Sequence, residues 1–501
     1  MKHTITPLAA VALALGGCAV GPDFKAPAPP GTARYTEVAP AEQTASAPGI
    51  GGAAQRFVPG ADIPAQWWTA FHSAEIDQLV QAALANSPTL GAAQATLRQA
   101  RELLRANEGG LLYPNVSASV QAGRVHTGVA SAGGESTLNT LNASVAVSYN
   151  VDVFGGARRQ IEASQAQVDF QKEQLEATYL TLTSNVVTTA LREASLRAQL
   201  AATQEIAGVQ AASLDLVQKQ FSVGAVSRPT VLQQQTQLAI TRATIPGLEK
   251  SLSQVRNQLA ILIGRAPSEA GLPTITLESL TLPVELPASL PSSLVRQRPD
   301  IRASEALLHQ ASAQIGVATA NLYPRFDITA EYGVAGTSLS KLFTPPFQVA
   351  SLLGSITAPI FNGGQLQAEK RAAIAAYDVA WQQYRNTVLQ AFQNVADTLV
   401  ALDNDARALA ADAEADESAR ETLELTQGQY RLGAVSYLAL LIVQQQYFQT
   451  HTTLVQAQAQ RFTDTATLFQ ALGGGWWNRG EALAEVEGPP ADAGADSRQP
   501  Q

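Results

Sequence analysis

The 501-residue sequence has one cysteine, Cys18, and five histidines. A single cysteine cannot form a disulfide bond within the chain and cannot supply a cluster of thiolate ligands to a metal. The histidines are scattered, and no two of them lie at the spacing of metal ligands. The sequence therefore offers no disulfide framework and no metal centre. A chain of this length, in which 46% of residues are hydrophobic, can bury a large core without such crosslinks.

Long apolar runs and catalytic motifs are also missing. After residue 18 no segment has the ~20 uninterrupted apolar residues of a membrane-spanning helix, so any crossing of a bilayer would have to use strands. Gly155-Gly156 and Gly363-Gly364 lack the surrounding pattern of a phosphate-binding loop, and no GxSxG motif is present. The net charge of −9 disfavours nucleic acid as a partner. We therefore predict neither an enzyme nor a nucleic-acid-binding protein.

The N-terminus has the pattern of a secretory signal peptide over residues 1–17. A charged start precedes an apolar segment, and small residues stand directly before Cys18. That arrangement resembles the bacterial lipobox, which implies that Cys18 carries diacylglycerol and a fatty acyl group such as palmitate; the alternative is a buried structural thiol. Ala19, in place of aspartate, points by the same resemblance to the outer membrane of a Gram-negative bacterium. Residues 18–65 are rich in Pro, Gly and Ala and are predicted to form a lipidated tether.

The rest of the chain contains the same ordered motifs twice. Tyr113-Pro114 recurs as Tyr323-Pro324, and the Gly-Ala-Val-Ser sequence at 224–227 recurs at 433–436. Such self-similarity indicates a duplicated unit. Each unit is predicted to contain a helix, a β-hairpin and a long helical hairpin. The predicted boundaries are 66–265 for the first repeat, 266–297 for a Pro-rich linker, 298–478 for the second repeat and 479–501 for a disordered tail.

Two segments in each repeat change from a helical period to a strand period. Apolar and polar residues alternate over 116–123, 145–153 and 326–333, and a weaker strand ends at Phe361. The resulting sheet has one apolar and one polar face. It is either a surface sheet packed on a core or part of a membrane barrel. Because known closed barrels start at about eight strands, four strands per chain would require two copies for eight strands or three copies for twelve.

Each β-hairpin precedes a long helical pattern, from about Gly156 to Phe221 and from about Gly364 to Tyr430. At about 1.5 Å per residue such a helix is roughly 100 Å long. Apolar residues at spacings of three and four form a packing seam of the coiled-coil type. Both patterns end in a Gly-Ala-Val-Ser turn, in which glycine supplies the positive φ of a helix C-cap and the serine is predicted to cap the returning helix.

Several further motifs stand in a fixed order along the chain: Cys18-Ala-Val-Gly-Pro-Asp-Phe-Lys-Ala-Pro27, Trp67-Trp68-Thr-Ala-Phe71, Arg298-Pro-Asp-Ile-Arg-Ala-Ser-Glu305, Ile315-Gly-Val-Ala318, Leu322-Tyr-Pro-Arg-Phe326 and Ala471-Leu-Gly-Gly-Gly-Trp476. Together with the two Gly-Ala-Val-Ser turns they resemble the TolC-like outer membrane factor family, in its lipoprotein branch that serves resistance-nodulation-division (RND) efflux systems (NodT/OprM-like). The similarity spans nearly the whole mature chain. It implies a mixed α/β membrane protein, a homotrimer with one 12-stranded transmembrane β-barrel that continues into a long periplasmic α-helical barrel of coiled-coil hairpins.

The resemblance also implies a function. An outer membrane channel of a tripartite efflux system would passively conduct small molecules, whether drugs, toxic compounds or metal ions. Its partners would be further copies of the chain, a periplasmic adaptor (membrane fusion) protein, an inner-membrane RND transporter and outer membrane lipid, with most of the mass in the periplasm. A type I protein secretion system would use the same duct. A periplasmic structural lipoprotein scaffold is an alternative of another class, which the alternating strands disfavour.

The functional residues are expected at the helical tips, where a tapering tunnel would close. The adaptor-docking surface is assigned to the two turns, Gly224, Ala225, Val226 and Ser227 with Gly433, Ala434, Val435 and Ser436. The resemblance implies a periplasmic gate at Leu438, Leu441 and Ile442, with Arg228 and Tyr437 at corresponding positions of the two turns. The alternative is ordinary packing within the hairpins. Several relatives have aspartate at the position of Ile442, so we expect an apolar constriction here rather than a carboxylate ring.

Overall fold

The computed structural model describes residues 19–38, 41–129, 134–269, 271–337 and 348–480. The predicted signal peptide, Cys18 and the predicted tail from residue 481 onward lie outside these ranges. Among the helices in these ranges, none is both long enough and apolar enough to cross a membrane. The elements in chain order are β1 Arg56–Pro59, α1 Ala74–Asn86, α2 Pro88–Leu112, β2 Asn115–Val129, β3 Gly134–Val151, α3 Gly156–Ser222, α4 Arg228–Leu262, β4 Glu285–Ala288, α5 Pro291–Gln297, α6 Pro299–Ala320, β5 Arg325–Gly336, β6 Gln348–Thr357, α7 Gln365–Arg431 and α8 Tyr437–Ala471, with 3₁₀ helices at Trp67–Phe71, Leu277–Ser279 and Trp476–Asn478.

The two long helices α3 and α7 each contain 67 residues and occupy the places predicted for them. Each is followed by a returning helix of 35 residues, α4 or α8. Asp152 fixes the start of α3, because its carboxylate accepts hydrogen bonds from the N–H groups of Ala157 and Arg158, both at 3.0 Å. These N–H groups have no partner inside the helix, and a negative charge at this end also suits the helix dipole.

Four strands form one antiparallel sheet in the order β2-β3-β5-β6. Val147 in β3 pairs with Val116 on one side and with Ala330 on the other. Asn150, on the opposite face, pairs with Asp327 and donates a hydrogen bond to its carboxylate at 2.7 Å. The alternation read from the sequence therefore produces a sheet with one apolar and one polar face.

Two features of the strands differ from the sequence prediction. β6 ends at Thr357 rather than at Phe361, because Pro359 has no N–H group to continue the ladder. The second difference is a two-stranded parallel sheet that the sequence analysis missed, in which β1 pairs with β4 and Arg56 stands opposite Glu285. The predicted tether and the predicted linker therefore form regular structure with each other.

The chain divides into two compact units. The first contains the four-stranded sheet, together with the helical segments that enter and leave it. Its described residues lie within Met1–Pro27, Thr96–Lys172 and Ala303–Asn386. The second contains the helical tips and the two-stranded sheet. Its described residues lie within Ala28–Ala95, Glu173–Arg302 and Thr387–Gln501.

The core of the second unit is aromatic. Trp67, Trp68 and Phe71 belong to one 3₁₀ helix and are buried. The ring of Trp67 stacks on that of Phe469 in α8 with centroids 5.5 Å apart, and the ring of Phe71 lies 6.3 Å from that of Phe462. Aromatic pairs of this kind contribute about 0.5–1.5 kcal/mol beyond the burial of their surface. They hold α8 against the 3₁₀ helix that follows the predicted tether.

One buried side chain joins three segments of this unit. The amide nitrogen of Gln55 donates hydrogen bonds to the carbonyl oxygen of Pro283 and to the hydroxyl of Thr465, both at 2.9 Å. Gln55 is fully buried. A buried polar group left without a partner costs about 1–3 kcal/mol, so these bonds favour one arrangement of the tether, the linker and α8.

Candidate gate and docking tips

The two long helices end in the same backbone turn. Gly224 and Gly433 both have φ of +75°, a conformation that glycine adopts without steric cost. In each turn the N–H of the next alanine bonds back into the helix, Ala225 to Gln220 O at 2.8 Å and Ala434 to Gln429 O at 2.9 Å. These are the bonds of a Schellman-type C-cap, which satisfies the last carbonyl groups of the helix.

The starts of the two returning helices differ. The hydroxyl of Ser436 accepts a hydrogen bond from the N–H of Ala439 at 3.3 Å, as predicted. The side-chain cap predicted at Ser227 is absent. Pro229 has no N–H group to offer, and the N–H of Thr230 bonds to the carbonyl oxygen of Ser227 at 3.1 Å instead.

A small buried cluster packs the two hairpins together above the turns. Tyr437 and Leu441 of α8 contact Val217 of α3, with Val226 and Tyr430 packed around them. The rings of Tyr430 and Tyr437 meet edge to face with centroids 5.7 Å apart. Burial, with a smaller contribution from Tyr430, raises the pKa of Tyr437 above that of a free tyrosine, so its hydroxyl stays protonated and can donate a hydrogen bond.

Two glutamine side chains accept hydrogen bonds from the hydroxyl groups of Tyr430 and Tyr437. Tyr430 donates to the side-chain oxygen of Gln220 at 2.8 Å, and Tyr437 donates to that of Gln234. Gln234 is fully buried, and its amide nitrogen donates to the carbonyl oxygen of Gln210 at 2.9 Å. Its side chain therefore ties α4 to both α3 and α8.

The structure divides the predicted gate residues between two faces of α8. Tyr437 and Leu441 are buried in the cluster, whereas Leu438 and Ile442 are exposed. Residues four apart share one face of a helix, so the exposed pair forms a separate apolar patch. Arg228, at the start of α4, is also exposed.

The residues predicted to dock an adaptor lie at the ends of the two hairpins. Val226 and Val435 are half-buried, and the remaining six glycine, alanine and serine residues of the turns are exposed. Each turn is preceded by a large apolar side chain that faces solvent, Val223 in the first hairpin and Leu432 in the second. Val223 and Leu432 were not among the residues predicted to dock an adaptor, although an apolar residue directly before a turn glycine is visible in the sequence.

Comparison with known families assigns the chain. Residues 79–265 and 290–474 match the model of a family described as outer membrane efflux protein. The chain belongs to this family. The two matched segments contain both long helices and both turns of this outer membrane efflux protein.

Members of the family with known names cover most of the chain. The pyoverdine export outer membrane protein OpmQ of Pseudomonas putida KT2440 is 30% identical over 418 residues, 82% of this chain and 88% of OpmQ. The probable outer membrane lipoprotein SilC of Salmonella typhimurium is 30% identical over 413 residues, again 82% and 88%. Among solved structures, the outer-membrane channel OprN matches with a TM-score of 0.83 and 25% identity, covering 92% of this chain and 100% of that chain.

Membership of the outer membrane efflux protein family decides the broad function. The chain is an outer membrane efflux channel of a Gram-negative bacterium and not an enzyme. The family resemblance, the efflux function and the outer membrane location predicted from the sequence are confirmed. The roles of individual residues at the tips stay predictions.

Proposed function

We propose that this efflux channel is the outer membrane duct of a tripartite system, a homotrimer that passively conducts small molecules from an inner-membrane RND transporter and a periplasmic adaptor protein. The observation that carries the proposal is the four-stranded sheet with two different faces. Its apolar face is exposed, with Val120 80% and Leu352 79% accessible. Such a face suits lipid tails, and the polar face suits a water-filled lumen.

The edges of the sheet support a barrel shared between copies. Among the described residues, β2 and β6 each pair with a single neighbouring strand, so the sheet of one chain has two open edges there. In lipid every backbone N–H and C=O group needs a partner, which only a closed barrel supplies to strands. Three copies would close twelve strands. The two consecutive family matches support the two predicted repeats with their linker.

We assign the constriction of the duct to Leu438 and Ile442. They are the exposed apolar members of the predicted gate, whereas Tyr437 and Leu441 are buried between the hairpins. Threefold symmetry would bring three copies of the exposed pair together, and an apolar constriction closes a pore by excluding water. Gln234 and Gln220 support this arrangement by holding the tyrosines of α7 and α8 against the first hairpin.

A double variant tests the gate. Leu438→Ser with Ile442→Ser is expected to raise the conductance of the channel in planar bilayers several-fold, because hydroxyl groups would let water enter the constriction. Leu232→Ser is the matched control, since Leu232 is an exposed leucine near the other tip. Equal conductance of the double variant and the wild type would contradict the assignment of the constriction to Leu438 and Ile442.

We assign adaptor docking to the two turns together with Val223 and Leu432. Exposed apolar side chains beside exposed glycine backbone offer a partner helix both contact surface and close approach. A photo-crosslinking amino acid at Val223 or Leu432 in intact cells, followed by mass spectrometry, is expected to capture an adaptor and, with it, an RND transporter. The same amino acid at Lys250, exposed on α4, is the control.

The identity of the captured partner separates the two duct functions. An adaptor with an RND transporter supports efflux, whereas a secretion ATPase would move the chain to type I protein export. Recovery of the same proteins from the Lys250 control as from the tips would contradict docking at the turns.

We further propose that Cys18 is acylated with diacylglycerol and a fatty acid, as the lipobox implies. The name of the relative SilC, which includes the word lipoprotein, supports this. The acyl groups anchor the mature chain to the outer membrane beside its sheet. The mass of the N-terminal peptide tests the proposal, because acylation adds a large and characteristic increment.

A further inference from the structure

Residues 19–24 belong to the motif that follows Cys18, and the duct and the gate proposed above do not use them. They are nevertheless bound to other residues of the first unit. The N–H of Val20 donates to the carbonyl oxygen of Phe154 at 3.0 Å. The Nε of Arg159 donates to the carbonyl oxygen of Val20 at 3.3 Å. Both backbone polar groups of Val20 are therefore bonded to the start of α3 or to the residues before it.

Two positions in and around residues 19–24 have room only for glycine. Gly21 has φ of +98°, and a side chain there would overlap the Cα of Gly316 in α6. A side chain on Gly316 would in turn lie 2.7 Å from Cγ of Arg159. Real side-chain carbons do not approach other atoms so closely, so each glycine is needed for the segment to lie where it does.

Side chains add a second set of contacts. Arg159, whose side chain is nearly fully buried, forms ion pairs at 2.7 Å with Asp23 of the segment and with Glu162 of α3. His309 of α6 bonds to the other oxygen of Glu162 at 2.9 Å. The ring of Phe24 stacks on the ring of His309 with centroids 4.4 Å apart and an angle of 12° between the planes.

Arg159 and Glu162 favour each other's ionised forms. Burial opposes the charge on Glu162, but hydrogen bonds from Arg159 and His309 hold its pKa below the usual range. Burial likewise opposes the charge on Arg159, and its bonds to Asp23 and Glu162 raise its pKa. Asp23 is 88% exposed, so solvent screens its ion pair and the glycine and ring contacts carry much of the specificity.

The segment is bound at the base of the four-stranded sheet. Gly155 has φ of +78°, and a side chain there would lie 2.6 Å from the Cα of Ala19. Phe154 stacks on Tyr323 with centroids 4.6 Å apart and lies 6.4 Å from Phe326. Aromatic side chains at the ends of membrane strands mark the level of the lipid headgroups.

We propose that Arg159, Gly316 and His309 form a docking site for residues 19–24 and that this site fixes the acyl anchor beside Gly155, level with the base of the sheet. The proposal rests on the acylation of Cys18 proposed above. Consecutive Cα atoms are about 3.8 Å apart, so a group on residue 18 begins one residue from the docked Ala19. The anchor is then a fixed part of the membrane-facing surface rather than the end of a free tether.

Limited trypsin digestion of the full-length acylated protein in detergent tests the docking. Lys25 is exposed at the end of the docked segment, and Arg34 lies further along the tether. A protease needs several residues of extended chain, so cleavage after Lys25 requires the segment to leave its site. In the wild type we expect slow cleavage after Lys25, and in Gly21→Ala and Arg159→Gln an initial rate at least about tenfold higher relative to Arg34.

Two matched controls accompany these variants. Gly31→Ala changes a tether glycine with open space around it, and Arg158→Gln changes the neighbouring arginine, which pairs with Asp152. Both are expected to keep the wild-type rate. If either test variant unfolds, which cleavage after Lys172 in α3 would reveal, Phe24→Ala replaces it because it removes the ring stack from the tether side alone.

Cleavage after Lys25 at one common rate in the wild type, Gly21→Ala and Phe24→Ala would overturn the docking site. The mass of the released peptide, residues 18–25, reports acylation separately. A peptide without acyl groups that is still released slowly from the wild type and rapidly from the variants would reject the lipid anchor and leave the docking site standing.

Discussion

The two returning helices, α4 and α8, have the same length and follow the same kind of turn, yet they are held in place differently. In α8, 14 residues are buried, among them Phe462, Leu468 and Phe469, whereas five are buried in α4. Full burial of a large apolar side chain contributes about 1.5–3 kcal/mol. α8 is therefore stabilised mainly by the core, and α4 depends more on its own backbone hydrogen bonds.

The backbone of α4 is also the weaker of the two. Pro246 lies inside it, next to Gly247. Proline cannot donate the helical hydrogen bond, and it crowds the carbonyl group of residue 242. Counted from the first residue of each helix, the same position in α8 is Val455, which is buried. Matching turns at the tips thus do not imply matching stiffness, and the first hairpin is expected to deform more readily.

Exchanging the residue types at Pro246 and Val455 is expected to have the largest effect on the difference in stability between α4 and α8. Val455→Pro is expected to destabilise the second unit by about 3 kcal/mol or more, because it adds a helix-interior proline at a buried site. Pro246→Val is expected to slow hydrogen exchange of the amides in the middle of α4. Chemical denaturation and hydrogen exchange measure the two effects. Unchanged exchange in α4 would contradict the weaker backbone assigned to it.

A buried acid on α8 provides a second contrast. Counted from the first residue of each helix, Asp464 in α8 corresponds to Val255 in α4, and both side chains are buried. Burial, followed by the neighbouring Asp405, raises the pKa of Asp464 to about 7, with Arg461 opposing the shift. The unfolded chain loses this proton near the ordinary value of about 3.9. Between about pH 4 and pH 7 the folded state therefore holds a proton that the unfolded state has released.

The free energy of unfolding of the second unit is expected to fall by at most about 4 kcal/mol as pH rises from about 4 to about 7 and to stay level above that. Asp464→Asn should remove the fall, since the amide does not titrate. Denaturation midpoints at several pH values measure it, and Asp397→Asn, an exposed carboxylate of α7, is the control. An identical pH profile in the wild type and Asp464→Asn would show that another group is responsible.

Substitutions at the N-terminal caps of α4 and α8 are expected to have the smallest effect on the stability of the two helices. Ser436→Ala is expected to destabilise the start of α8 by about 1 kcal/mol, because the N–H of Ala439 loses its partner. Ser227→Ala is expected to change stability by a few tenths of a kcal/mol at most, because its hydroxyl does not cap α4. Equal losses in thermal denaturation of the two variants would mean that Ser227 caps α4 in solution.

Local signals account for what the sequence predicted correctly. The strand alternation, the long helical periods and the turn glycines each depend on neighbouring residues alone, and the structure has strands, helices and positive φ values at those places. Helical spacing also shows that Leu438 shares a face with Ile442, and Tyr437 with Leu441. It does not show which face is buried, because burial depends on Val217 and Gln234 in other helices.

Long-range pairing accounts for most of what was missed. β1 and β4 are four residues each, contain proline, and lie far apart in the chain, so neither has a recognisable strand pattern alone. The hydrogen bond from Tyr437 to Gln234 likewise joins segments that only the fold brings together. The missing cap at Ser227 was readable in principle, since Pro229 removes one of the N–H groups a cap needs.

The buried hydrogen bonds of Gln55 have a consequence for the order of maturation. Its amide bonds to Thr465, 410 residues further along the chain, and to Pro283. An exported chain emerges from its N-terminus, so the tether reaches the periplasm long before either partner does. It cannot take its final place until nearly all of the chain has been exported. During that interval Gln55 has neither partner, and its amide is free to bond to water.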